Sequence, residues 1–149
     1  MPFDREQIEA RLALDLIASA DMPQIAQDAL EAGLDGPATL RLAILKRPTY
    51  FEVAEVLPRV LNELGLTQIT IGEAALRVAK ETAREILRNA DDPLRHVQAF
   101  ESLWVRSKYA KEIQTLGTLH DDVWIAKSMG RSDEQIRDWV TSLLKDFAQ

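Results

Sequence analysis

At three points where an apolar stripe begins, a threonine or serine stands three residues ahead of a glutamate or glutamine: Thr49 with Glu52, Thr70 with Glu73, and Ser132 with Gln135. In such a box the hydroxyl accepts an amide hydrogen at the start of a helix, and the longer side chain reaches back to the amide of the cap residue. An apolar stripe follows each box. Val53, Val56, Leu57, Val60, Leu61 and Leu64 follow the first; Ala75, Ala79, Ala83, Ile86 and Leu87 the second; Ile136, Val140, Leu143 and Leu144 the third. Steps of three and four residues are the period of a helix packed on one face, and strands alternate instead.

The remaining segments read the same way. Ile8, Leu12, Leu16 and Ala20 form a ridge that predicts a helix over 4–20, capped by Asp4, with Phe3 stapled onto Ile8. Asp21 caps a second helix with Pro23 in its first turn, and Gly33 ends it. Pro37 opens a short third helix. Pro58 lies inside the fourth, where its missing amide predicts a kink or split near residue 57, and Gly65 closes that helix. TQITI at 67–71 is a short extended link with no partner strand. The alanines after Thr70 invite a close neighbour, and Asn89 closes their helix. Asp92 and Pro93 restart the chain in a helix carrying Val97, Phe100, Leu103 and Trp104 toward Leu116. Gly117 and Thr118 break it, and Thr118 caps another helix to about Met129. The expected fold is all-α: a single domain over 1–149, built as an orthogonal array of seven or eight short helices with helix-turn-helix-like corners.

A chain of 149 residues is long enough for a core without staples, and with no cysteine it has no disulfide, thiolate metal site or thiol nucleophile. Residues 1–66 carry 11 acids and 6 bases, and residues 67–149 carry 13 and 12, so the net charge of −6 sits mostly in the first half. That balance opposes non-specific binding to nucleic acid or anionic membrane. Acids among the first residues argue against a signal peptide, and no apolar run is long enough to span a bilayer. A cytoplasmic protein without membrane contact is expected.

AKSMGRSDEQIRDWV at 126–140 resembles, within 122–141, the helix-turn-helix of bacterial repressors and sigma factors. Ala126 would face the second helix, Gly130 make the turn, and Ile136 lock it, with Ile125, Met129, Trp139 and Val140 as supporting core. If the corner read DNA, Arg131, Ser132, Gln135 and Arg137 would carry the contacts. The second helix also presents Asp133, Glu134 and Asp138, and residues 121–146 hold 6 acids against 4 bases. Such a face repels the phosphates that supply most DNA affinity. Similar corners at 29–43 and 62–76 point to a way of turning the fold.

TLHDDVW suggests a metal-dependent phosphohydrolase of the HD type, with His96, His120, Asp121 and Asp138 as the ligand set. Only 28 residues follow Asp121, and the letters read equally as acids in the first turn of a capped helix. There is no phosphate loop and no nucleophile elbow, so neither catalytic residues, a cofactor nor a metal site is assigned. Lys80, Arg84 and Arg88 line one ridge, and Arg106, Lys108 and Lys111 form a second cluster; interleaved glutamates mark both as solvated helix faces. Trp104, Trp124, Trp139, Tyr50 and Tyr109 fall at or beside apolar periodic positions and are expected in the core, with one or two at an interface.

DALEAGLDGPATLRLA (28–43) and EILRNADDPLRHVQAFESLW (85–104) are similar to segments of small all-helical bacterial proteins of unassigned activity. The resemblance covers about half the chain and rests on turn and cap residues. It implies a bacterial origin and a helical fold, and it carries over no functional residue. The function expected is non-enzymatic binding of another protein, in an adaptor or regulatory role. The alternatives are a helix-turn-helix DNA-binding regulator and the HD-type hydrolase. A homodimer is also compatible, since one sequence does not separate core apolar residues from interface ones.

Overall fold

A computed structural model describes residues 2–149. The chain is all-helical, with no strand among the described residues. Nine α-helical segments occur there: α1 (Arg5–Ala13), α2 (Met22–Glu31), α3 (Pro37–Ala43), α4 (Tyr50–Glu63), α5 (Ile71–Arg88), α6 (Val97–Arg106), the single turn α7 (Gln114–Gly117), α8 (Leu119–Ser128) and α9 (Asp133–Phe147). Short 3-10 turns precede α2, α6 and α7. No helix of the described residues is long and apolar enough to cross a membrane. Backbone contacts cluster into two compact units, Met1–Ile69 and Thr70–Gln149.

In the first unit α2, α3 and α4 enclose Met22, Ala26, Ala29, Leu42, Val53, Val56 and Val60, with Phe3, Leu12 and Ile17 packed against this cluster. A small apolar cavity lies among Ile8, Leu12, Met22, Leu42 and Val60; at about 10 Å³ it holds no substrate, since ligand pockets start at ~300 Å³. α1 stops at Ala13, well short of the expected residue 20. Asp15 adopts φ +55, the Leu16 amide donates to the Arg11 carbonyl at 2.9 Å, and the Asp15 amide donates to Leu12. This is a Schellman ending made with aspartate in the left-handed position that glycine usually fills. The same pair of bonds ends α2 at Gly33, α4 at Gly65, α5 at Ala90, α6 at Lys108 and α8 at Gly130. α6 therefore ends at Arg106, where the sequence pattern predicts a run toward Leu116. Ala90 is exposed at φ +51, a conformation that costs an L-residue about 1 kcal/mol. Ala90→Gly is expected to raise the unfolding free energy by about that amount, read as a higher urea midpoint with unchanged slope.

α4 runs unbroken through Pro58, against the expected split. Ala54, whose carbonyl Pro58 leaves without its usual amide partner, lies on the exposed side of the helix, where such a carbonyl can tilt toward solvent. The Thr49–Glu52 box is complete, as is that of Ser132 with Gln135. At α5 only half forms: Thr70 accepts from the Glu73 amide, while the Glu73 carboxylate takes Arg77 Nε at 3.2 Å. Neither Asp21 nor Thr118 caps its helix through its side chain; the Thr118 hydroxyl donates back to the Gln114 carbonyl instead.

Two carboxylates bind backbone amides far along the chain, which local reading does not reveal, and one of them caps a helix. α3 begins after Gly36, which has no side chain to offer. Glu63, at the end of α4, accepts from the amides of Ala38 (3.0 Å) and Thr39 (2.8 Å) and from the Thr39 hydroxyl (2.8 Å). A Cβ at Gly36 would overlap that carboxylate, so the close approach requires glycine. Buried Glu9 of α1 likewise accepts from the amide and hydroxyl of Thr67 at 2.6 and 2.8 Å. Desolvation pushes the Glu63 pKa up, but the Thr39 and Ala38 amides, the Thr39 hydroxyl and Arg59 outweigh it and hold the carboxyl below its ordinary value. A folded-state pKa below the unfolded one gives a contribution that is complete above the unfolded value and lost as pH falls through the folded one. Glu63→Gln is therefore expected to lower the urea midpoint at neutral pH, with the gap to the parent shrinking below about pH 4.

In the second unit the alanine side of α5 is fully buried at Ala75, Ala79 and Ala83, and α5 contacts α6 and α9. Phe100, Ile113, Leu116, Leu119, Ile136, Val140 and Leu144 fill the core.

Candidate interaction surface

The corner between α8 and α9 forms as the sequence pattern implies. Gly130 takes φ +84, and the Arg131 amide donates to the Ala126 carbonyl at 3.2 Å. Ser132 Oγ accepts from the Gln135 amide at 3.2 Å, and Gln135 Oε1 accepts from the Ser132 amide at 3.1 Å. Ile136 and Val140 are buried, and Ala126 is half-buried.

The expected supporting core is where the structure departs. Trp124 is 69% exposed, Ile125 48% and Met129 73%, and Trp139 on α9 is also exposed. The buried positions of α8 are only Leu119 and Val123, and its neighbours are α6, α7 and α9. The side carrying Trp124, Ile125 and Met129 is left to solvent. Tyr50 and Tyr109 are exposed too, against the core expectation; Tyr109 stands edge-on to the half-buried Trp104 at 5.0 Å.

Of the four residues that DNA reading would use, three are engaged within the chain. Ser132 and Gln135 close the capping box, and Arg137 Nε donates to Asp92 Oδ1 at 3.3 Å. Arg131 is exposed. Asp92 also accepts from the Leu94 amide at 3.0 Å. That amide bond foremost, with Arg137 adding to it against the opposing effect of burial, holds the Asp92 carboxyl below its ordinary value.

His96 Nε2 lies 3.6 Å from Asp91 Oδ2, and Asp122 Oδ2 lies 3.3 Å from the Thr118 hydroxyl oxygen. Among the described residues no three histidine, aspartate or glutamate side chains are grouped to hold a metal ion, so His96, His120, Asp121 and Asp138 are not brought together as one. Asp121 and Asp122 occupy the first turn of α8, where the helix dipole favours acids. The basic ridge of α5 has structural partners. Lys80 Nζ donates to the Gln149 carbonyl and Arg84 Nε to the Ala148 carbonyl, so cations meet the C-terminal end of α9; Arg84 and Arg88 also approach Glu81.

No protein-family model, curated protein or solved structure matches this chain.

Proposed function

We propose that this chain is a non-enzymatic interaction domain that docks a partner protein on the α8–α9 corner, in an adaptor or regulatory role. One observation carries the reading: Trp124, Ile125 and Met129, three large apolar side chains within residues 124–129, stand exposed at the C-terminal end of α8, whose last turn is closed by the Gly130 and Arg131 amides. Exposed apolar clusters of this kind mark binding surfaces, and tryptophan and methionine are enriched in them. The corner's shape alone supports DNA reading, but Arg137 is held by Asp92 and the exposed start of α9 is acidic.

The test is capture by the immobilised chain from source cells, with nuclease present, beside the Trp124→Ser/Met129→Ser variant. The proposal predicts a nuclease-resistant protein that is retained by the parent. Its affinity, measured with purified components, falls about 30-fold in the variant, the loss expected for a tryptophan anchor of ~2 kcal/mol. A catch that disappears with nuclease assigns the corner to DNA reading. A protein bound equally by both forms rules this face out.

A further inference from the structure

We infer a second, separate docking surface at the corner between α3 and α4, fitted to an acidic amphipathic helix of a partner protein. Leu40 and Ile44, one helical turn apart at the end of α3, are exposed, Ile44 to 70%. Tyr50 and Phe51 open α4, with Phe51 81% exposed, and their rings stand edge to face at 5.7 Å. Arg41, Lys46 and Arg47 fall between these residues in the sequence, all exposed. These are half of the 6 bases in residues 1–66, a stretch that carries 11 acids. Among the described residues no ion pair engages any of the three.

The corner is stiff. Gln27 Nε2 donates to the Ala43 carbonyl at 2.9 Å, Arg47 sits at φ +45, and buried Pro48 follows it. A preformed surface loses little freedom on binding. Cations left unpaired in an otherwise acidic unit select an acidic partner, and Leu40 with Ile44 presents an aliphatic step matched by residues at helical spacing on a docked helix. Single-stranded nucleic acid fits less well. Leu40 and Ile44 are branched aliphatic side chains that give bases no face to stack on. This surface is independent of the α8–α9 proposal.

The experiment selects phage-displayed random 16-residue peptides on the immobilised full chain. Enriched peptides are expected to be net negative, with apolar residues three and four apart. They should bind Arg41→Glu/Lys46→Glu at least about tenfold more weakly and lose binding to Phe51→Ser, while Trp124→Ser/Met129→Ser retains them. All these substitutions are at exposed positions, and unchanged thermal unfolding verifies each fold. Peptides that are neutral or basic, or indifferent to the charge reversal, overturn the inference, as does an empty selection. Peptides lost only with Trp124→Ser/Met129→Ser overturn it and leave the α8–α9 reading standing. Binding of the full chain to phosphatidylserine vesicles or oligothymidine that depends on Arg41 and Phe51 reassigns the surface and also overturns it.

Discussion

Truncating Phe100 to alanine is expected to cost the second unit about 3–5 kcal/mol. Phe100 is the largest fully buried side chain, 1% exposed in the middle of α6. α6 contacts α5, α7 and α8, so the ring is enclosed by several elements of its unit. The loss has two parts: the transfer energy of the missing ring, and the hole that rigid helices fail to close. Phe100→Leu, which keeps most of the volume, should lose far less. Urea unfolding of both variants, followed by circular dichroism, reads the difference. Equal losses would mean that the ring is not enclosed as described.

The second large effect reverses an ordinary rule. Glycine to alanine inside a helix normally stabilises, by up to about 1 kcal/mol. Gly117→Ala is expected to destabilise by about 1–3 kcal/mol. Gly117 is buried at the end of α7 against the Trp104 ring, and an added Cβ would overlap that ring and lie 2.6 Å from Trp104 Cβ. The indole has no flexible end to swing aside, so α6 and α7, which contact each other, would have to separate. A double-mutant cycle with Trp104→Leu isolates the clash: the alanine should cost much less when the indole is absent. Additive losses would place the cost elsewhere.

The sequence shows how the helices begin better than how they end. Thr49, Thr70 and Ser132 sit at true N-caps because their signal is local and chemical. Glycine marks the ends at 33, 65 and 130, where φ is positive. The ends at Asp15 and Lys108 use the same hydrogen bonds on residues with a Cβ, so no letter announces them, and α1 and α6 read too long, whereas at Ala90 the preceding Asn89 marks the end. The long-range carboxylate bonds escape notice for another reason: Glu63 and Thr39 are 24 residues apart, and Glu9 and Thr67 are 58 apart. Periodicity also identifies apolar residues without saying which of them find a neighbour. Ala75, Ala79 and Ala83 do, whereas Trp124, Ile125 and Met129 do not. The surface residues that matter most to the proposed function are thus legible as apolar, and their positions predict core for Ile125 and Met129 and core or interface for Trp124. The exposed corner at Leu40, Ile44, Tyr50 and Phe51 read as plain helix, because the bases between them carry meaning only once their exposure is known.

The central claim is that another protein sits on the α8 face. Photo-crosslinking in source cells tests it most directly, with p-benzoylphenylalanine replacing Trp124 or Met129 and, as a control, the exposed Glu85 of α5. The account predicts a discrete protein adduct from positions 124 and 129 that is absent from 85 and survives nuclease. No adduct at 124 and 129, or adducts to nucleic acid alone, would contradict it.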